Sequence, residues 1–327
     1  MRYLKFAFRI IVSVGLLVYL FHLVSLKDIG SEFVKIIQEG GINYLVSAFA
    51  LTILSVIFLS FRWHIILRGY HFESRVSRLI GYYMIGMFFN NFLPSTIGGD
   101  VIRVYKISND IENRTTGLAS VIIERLMGIA ATVFMACFAI LLLWQEYNNP
   151  QLLYASLAMF TLIVFFFLVL VRTRPFALLL RLLEKLTIFN IGERFSKLFE
   201  AIHFFQGRRR ILLFAFLMSV LAQSTIVFMN YALAKAMSMD VSLWYLFMVV
   251  PATFVLTMLP SINGIGIREF GFVQLLGEAG VPSAAALSLS FMNLIIPMLI
   301  SLGGAALFII QKRKTSLEEN NVIKEVI

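Results

Sequence analysis

The sequence is poor in charge and in the residues that hold metals or disulfides. Of its 327 residues, 14% are charged, one is cysteine and four are histidine. The single cysteine, Cys137, excludes an intrachain disulfide framework and a thiolate metal cluster. The histidines are scattered without ligand spacing, so we predict neither a metal site nor a cofactor. They are His22, His64, His71 and His203.

Motifs of soluble enzymes are also missing. The chain has no phosphate-binding loop and no nucleophile elbow, and Gly264-Ile265-Gly266 lacks the third glycine of a dinucleotide-binding turn. Lys and Arg are spread over several segments without the aromatic interleaving that binds bases, so we predict no nucleic-acid partner. An enzymatic activity therefore finds little support in the sequence.

Hydrophobic residues, in contrast, make up 60% of the chain, and the mean hydropathy is positive. Apolar runs of about 20 residues recur, which is the length that crosses a hydrocarbon layer about 30 Å thick. Such runs must be helical because lipid cannot satisfy free backbone N–H and C=O groups. We predict an all-α polytopic membrane protein in which residues 1–327 form a single integral membrane domain.

Six runs are long enough to span a membrane. They are Phe6–Val24, Ile42–Phe61, Leu118–Leu143, Leu152–Val171, Ile211–Lys235 and Ala284–Ile310. The first run follows three basic residues, as a secretory signal also does. We interpret it as a retained anchor, because no small-x-small cleavage site follows it and further apolar segments come at once.

Two further runs, Leu79–Leu93 and Trp244–Leu259, have about 15 residues and reach only about 23 Å as helices. Both end in Leu-Pro-Ser, with Pro94 and Pro260 at matching places in the two halves, and glycines and charges follow. Short segments interrupted by Pro and Gly in two halves are typical of broken helices around a central site. Ordinary loops after short spans remain the alternative.

The distribution of charge predicts the orientation, because cytoplasmic loops collect Lys and Arg. Residues Arg172–Arg210 include nine basic residues, and Arg2–Arg9 and Lys312–Lys314 are also basic. Residues Trp144–Gln151 carry none. We therefore expect a cell membrane protein, of the inner or plasma membrane type, with both termini in the cytoplasm and Trp144–Gln151 outside.

This orientation fixes the direction of each short segment. Residues 79–106 leave and return to the cytoplasmic side as a re-entrant hairpin, and residues 243–278 form a second hairpin that opens to the outside. Hairpins that enter from opposite sides are what an inverted repeat of halves 42–171 and 211–310 produces. The alternative is eight simple spans, two of them too short to cross comfortably.

The segment between the halves, about residues 175–207, has apolar residues at helical spacing opposite basic ones. This pattern predicts a pair of amphipathic helices on the cytoplasmic surface, with the basic face on anionic headgroups. A solvated linker is the alternative.

Glu124 and Arg125 lie within a predicted span, where ionisable groups are costly unless they are paired or face water. Adjacent residues point about 100° apart on a helix, so each is expected to reach a different partner. The nearest candidates are Asp100 and Arg103 of the first hairpin, and Arg268 and Glu269 of the second.

The turn of the first hairpin has its own physical logic. Pro94 ends the first arm, and Gly98 and Gly99 permit a tight reversal. The return helix then begins near Asp100, and its free amide groups suit a phosphate that Arg103 and Lys106 would flank. In the alternative, Asp100 caps the helix and Arg103 extends to the surface.

These segments resemble a known family. The run from Phe89 to Arg103, the pair Glu124-Arg125 and the stretch from Pro260 to Glu269 are similar to the flippase-like, lysylphosphatidylglycerol synthase transmembrane-region family, over nearly the whole chain. The resemblance implies movement of phospholipids or polyprenyl-phosphate-linked lipids between leaflets. In the full lysyltransferases of that family a soluble domain follows the membrane region. Here only residues 311–327 follow the last predicted span, so we expect no lysyl transfer.

We therefore predict a lipid translocase, with anionic or phosphate-bearing membrane lipids as its partners. The alternative is a non-transporting membrane partner, or truncated relative, of a lipid-modifying enzyme such as a phosphatidylglycerol lysyltransferase. The predicted binding residues are Asn91, Pro94, Ser95, Gly98, Gly99, Asp100, Arg103, Glu124, Arg125, Pro260, Asn263, Gly264, Gly266, Arg268 and Glu269.

Overall fold

The computed structural model describes residues 2–92, 98–142, 161, 204–205, 208–257 and 264–326, and these residues form helices without a strand among them. The helices are α1 (Arg2–Leu23), α2 (Leu26–Gln38), α3 (Ile42–Gly69), α4 (Val76–Phe92), α5 (Gly98–Ile111), α6 (Arg114–Leu142), α7 (Arg209–Ala236), α8 (Leu243–Leu256), α9 (Ile267–Glu278) and α10 (Ser283–Val326).

Four of these helices, α3, α6, α7 and α10, are long and apolar enough to cross a membrane. A fifth candidate is the pair α1 and α2, which bends by 76° at a short break. The predicted class, an all-α membrane protein, is thus confirmed. Apart from residues 161 and 204–205, the predicted span Leu152–Val171 and the linker 175–207 lie outside the described residues.

Helices α3–α6 and α7–α10 repeat one pattern of a long helix, two short helices and a long helix. Helices α3 and α7 have 28 residues each. The short helices have 17 and 14 residues in the first half and 14 and 12 in the second. Helix α6 has 29 residues, and so does the apolar part of α10, Ser283–Gln311. The halves are therefore equivalent in order and length.

The equivalent helices α3 and α7 pack antiparallel along their whole length. Thr52 Oγ1 contacts Met229 Sδ at 3.1 Å, and Arg62 Nη1 donates to Ser219 Oγ at 3.1 Å. Helix α7 begins at Arg209, which is 167 residues after Ile42, the first residue of α3. With this offset, Ser219 is the equivalent of Thr52 and Met229 is the equivalent of Arg62. The two contacts are therefore counterparts of one another about an approximate two-fold axis.

The ends of this helix pair obey the same relation. Gly41 lies against the main chain of Ala236, and Arg208 donates to the carbonyl oxygen of Gly69. Gly41 and Arg208 are again equivalent by the offset of 167, as are Gly69 and Ala236. Because equivalent helices run in opposite directions, the two halves are inverted relative to one another.

The short helices of the first half form an antiparallel hairpin. Gly86 of α4 lies against Gly99 of α5 near the turn, and Tyr82 donates to Asp110 at 3.0 Å near the open end. A side chain at Gly99 would collide with the carbonyl oxygen of Gly86, so glycine is what lets the two arms meet.

The short helices of the second half form the equivalent hairpin. Tyr245 of α8 donates to the Leu275 carbonyl of α9 at 2.5 Å, and Leu256 lies against Gly271 nearer the turn. Helix α9 begins directly after Gly266, whose φ of 86° lies in the left-handed region that favours glycine.

Each hairpin packs against the last helix of the opposite half, α4 against α10 and α8 against α6. Between α4 and α10, Gly304 lies against the main chain of Met84 and Gly81 faces Leu307. Because each hairpin packs on a helix of the other half, the two halves are interlocked.

Helix α2 is an element that the hydropathy pattern missed. Ser25 caps it, accepting from the Lys27 amide at 3.2 Å. The helix buries Ile29 and Ile36 and exposes Ile37. It is amphipathic and only 13 residues long, so a search for long apolar runs passes over it.

Candidate functional site

A fully buried carboxylate, Glu124, lies at the centre of the first half. It accepts hydrogen bonds from the guanidinium groups of Arg62 on α3 and Arg103 on α5, and from the hydroxyl of Tyr83 on α4. Four helices therefore converge on one carboxylate. An ionised group without solvent is stable only with partners of this kind, because the cost of dehydrating it is several kcal/mol.

Arg103 is packed between two aromatic rings and pairs with two carboxylates. Its guanidinium carbon lies 3.9 Å from the ring centroid of Tyr83 and 4.3 Å from that of Trp63. Besides Glu124, it pairs with Asp100, with 3.5 Å between Nη1 and Oδ1. Stacking on aromatic faces compensates part of the lost hydration of a guanidinium. Arg103 is thus fixed in position, with its charge shared between Glu124 and Asp100.

Asp100 extends the site towards the surface of the bundle. It pairs with Arg125, whose side chain is 46% exposed, whereas the Arg103 side chain is only 5% exposed. We call Arg62, Asp100, Arg103, Glu124 and Arg125 the ion network. It runs from the buried carboxylate of Glu124 to the half-exposed side chain of Arg125.

Small residues at the helix contacts allow the ion network to form. A side chain at Gly86 would collide with the Arg103 methylenes, and one at Gly128 would come within 3.0 Å of Arg62 Nη1. At the hairpin tip, Asn90 Oδ1 accepts from the Gly99 amide at 2.8 Å, satisfying a free donor at the start of α5. Glycine therefore creates the space, and Asn90 connects the end of α4 to the start of α5.

The ion network has an excess of positive charge. Three guanidinium groups face two carboxylates, which leaves one net positive charge in an apolar surrounding. A hydrophobic setting strengthens the pull of that charge on an anion. Among the described residues no group of three or more His, Cys, Asp and Glu is placed to hold a metal ion.

The second half has a neutral counterpart to this centre. Asn293 of α10 donates to Asn230 of α7 at 2.5 Å, and Asn230 is fully buried. Glu269 is also buried, but it caps α9 by accepting from the Gly266 amide at 2.7 Å, and it pairs with Arg268 at 2.5 Å. The buried carboxylate of this half thus completes a helix terminus.

The expectation that Glu124 and Arg125 reach different partners is confirmed. On the first hairpin, Arg103 pairs with Glu124 and Asp100 pairs with Arg125, and Glu124 has a further partner in Arg62 of α3. Asn91 is apart from the ion network and donates to Ser301 of α10 at 3.2 Å. Gly98 and Gly99 open α5, and Gly264 and Gly266 precede α9. Pro94, Ser95, Pro260 and Asn263 lie outside the described residues.

Sequence reasoning missed Arg62 and Tyr83. Arg62 directly follows the apolar run that ends at Phe61, so the predicted span excludes it. The structure corrects this boundary, because α3 continues to Gly69 and Arg62 is 4% exposed. The uninterrupted helical pattern after Arg62 was the available indication.

A bundle of apolar helices with charges paired between them defines an integral membrane protein. The chain belongs to the family described as the lysylphosphatidylglycerol synthase TM region, whose profile matches residues 6–314. It is also similar to the UPF0104 membrane protein MJ1595 of Methanocaldococcus jannaschii, with 31% identity over 126 residues. That alignment covers 37% of this chain and 37% of the relative.

Proposed function

We propose that the protein is a lipid translocase that moves a phospholipid or a polyprenyl-phosphate-linked lipid between the leaflets of the cell membrane. The observation that carries the proposal is the ion network, with one net positive charge, at the inner ends of a helical hairpin. Ionisable groups at such depth mark polar routes through a membrane. A phosphate is the anionic group that membrane lipids supply.

The two hairpins give this route its geometry. Arms of 17 and 14 residues reach about 25 and 21 Å, and the second hairpin has arms of 14 and 12 residues. Since the halves are inverted, the hairpins open at opposite ends of the bundle. With the basic segments in the cytoplasm, the first hairpin opens to the cytoplasm and the second to the outside.

In this proposal Arg125 is the first group of the ion network that the headgroup reaches, because its side chain is 46% exposed, while Arg103 and Arg62 supply a fixed positive field behind it. Arg268 of the second hairpin receives the headgroup on the other side. The acyl chains stay in lipid while the halves rock about the α3–α7 contact. This is alternating access in its ordinary form for inverted repeats.

One observation favours a second candidate, a non-transporting partner that positions a lipid-modifying enzyme. Each of the five charged groups of the ion network already has an oppositely charged neighbour within the chain. A network of this kind also serves as a structural tie between helices. In that case the chain binds lipids without exchanging them.

Vesicles separate the two candidates. The purified chain alone is reconstituted with a fluorescent anionic phospholipid, and an impermeant quencher reports the fraction in the outer leaflet over time. We expect faster exchange than in protein-free vesicles and a loss of that rate in Arg125→Gln. Exchange at the protein-free rate would support the non-transporting partner and reject the translocase.

A further inference from the structure

Lys106 occupies an unusual place on the first hairpin. It is half-buried, and its Nζ lies 5.5 Å from the ring centroids of both Tyr82 and Phe308. It donates to Gln311 Oε1 at 2.7 Å. Three helices, α4, α5 and α10, thus surround one ammonium group with two aromatic rings and a neutral amide.

The charge of Lys106 has no carboxylate in direct contact within the described part of the chain. The closest acidic residue along α5 is Asp110, whose Oδ2 accepts from the Tyr82 hydroxyl at 3.0 Å and pairs with Arg78 Nη1 at 3.4 Å. An ammonium group has three donors, and Gln311 uses one. A half-buried cation whose direct contacts are a neutral amide and two rings can bind an anionic oxygen.

The position of Lys106 on α5 connects it to both the lipid and the ion network. Val101 and Tyr105 on the same helix are 59% and 64% exposed, and they form its outward face. Arg103, one turn deeper and about 4.5 Å along the axis, is buried against Glu124. Lys106 lies at the boundary between these two faces.

We propose that Lys106 and Gln311 form an entry site for the phosphate of a membrane lipid, distinct from the ion network. The phosphodiester oxygens bind the ammonium group, and the acyl chains lie along Val101 and Tyr105 in the surrounding membrane. The inference rests on the proposed lipid substrate, but it concerns binding and does not require transport. It places two positive charges, Lys106 and then Arg103, in order along one helix.

The test is the binding of dioctanoyl phosphatidylglycerol to the purified full chain in detergent, followed by native mass spectrometry. Lys106→Met keeps an unbranched side chain, one atom shorter, and removes the charge, and we expect about tenfold weaker binding. Lys106→Arg should bind like the parent protein. The matched control is Arg75→Met, which removes an exposed charge just before α4.

Two further ligands identify what the site recognises. Dioctanoylglycerol has the chains without the phosphate, and glycerophosphoglycerol has the phosphate without the chains. We expect both to bind much more weakly than the complete lipid. Equal binding of glycerophosphoglycerol would make the ligand a soluble phosphate, and equal binding of dioctanoylglycerol would make it an apolar chain; either result overturns the proposal.

The experiment also separates this inference from the proposed function. The titrations are repeated in Arg125→Gln, where the effect of Lys106→Met should persist because the entry site is distinct from the ion network. Unchanged binding in Lys106→Met overturns the entry site whether or not the protein exchanges lipids. Lys106-dependent binding in a chain that exchanges no lipid supports the entry site and rejects only the translocase.

Discussion

Glu124 and Asn293 occupy the same position in equivalent helices, each being the eleventh residue when counted from Arg114 of α6 and Ser283 of α10. Glu124 bonds to Arg62 of α3, and Asn293 bonds to Asn230 of the equivalent helix α7. The fold thus places a polar contact at the same position of the last helix in both halves, and only the first half carries charge there.

Glu124→Gln should destabilise the protein strongly. The substitution leaves Arg62 and Arg103 buried with their shared countercharge removed, which costs about 3–5 kcal/mol in comparable ion pairs. The melting temperature of the purified protein in detergent measures the effect. Glu278→Gln, at an exposed carboxylate that ends α9, is the control. Equal melting temperatures for the two variants would contradict the role given to Glu124.

In contrast to Glu124→Gln, Arg125→Gln should change the stability of the protein little and lipid exchange strongly. The Arg125 side chain is 46% exposed and Asp100 keeps Arg103 as a second partner, so the melting temperature should fall less than in Glu124→Gln. Lipid exchange should fall at least tenfold, because the ion network loses its one net positive charge. The paired variant Asp100→Asn with Arg125→Gln restores that net charge through Arg62, Arg103 and Glu124.

Exchange by the paired variant distinguishes two roles of Arg125. If net charge drives binding, the paired variant recovers part of the exchange rate that Arg125→Gln loses. If the Arg125 guanidinium itself contacts the headgroup, the rate stays low. A rate in Arg125→Gln equal to that of the parent protein would exclude both roles.

Gly304→Ala should weaken the packing of α4 against α10. The added methyl group would collide with the main-chain carbonyl of Met84, which cannot move without displacing its helix. Overpacking of this kind costs about 1–3 kcal/mol. At the adjacent Gly303 a methyl group meets only the flexible end of the Met84 side chain at 2.9 Å, so Gly303→Ala is the matched control. Melting temperatures should fall more for Gly304→Ala; the reverse order would contradict the contact.

The membrane class and much of the ion network could be predicted from the sequence. Apolar runs long enough to span a bilayer have one stable structure in lipid, the helix, and charges within a run must find partners nearby. Asp100, Arg103, Glu124 and Arg125 are close in the chain, on two helices that a short turn connects. Local geometry was therefore enough to name Asp100 and Arg103 as candidate partners, but not to choose them over Arg268 and Glu269.

The contribution of Arg62 could not be predicted in the same way. Arg62 meets Glu124 only because α3 crosses α6 in the folded bundle, and its other neighbour, Ser219, is 157 residues away in the chain. Contacts of this range depend on how the inverted halves pack. The offset of 166 residues between Pro94 and Pro260 indicates a repeat. It does not indicate which helices of one half pack against which helices of the other.

The direction in which the two hairpins open tests the account most directly. Asn109 of α5 and Glu278 of α9 are equivalent positions, both exposed, near the open ends of the two hairpins. Asn109→Cys and Glu278→Cys, each with Cys137→Ser, are treated in intact cells with an impermeant thiol reagent. We predict labelling at Glu278→Cys in intact cells, and labelling at Asn109→Cys only after the membrane is opened. Labelling of both positions from the same side would contradict the inverted arrangement and remove the route proposed for the headgroup.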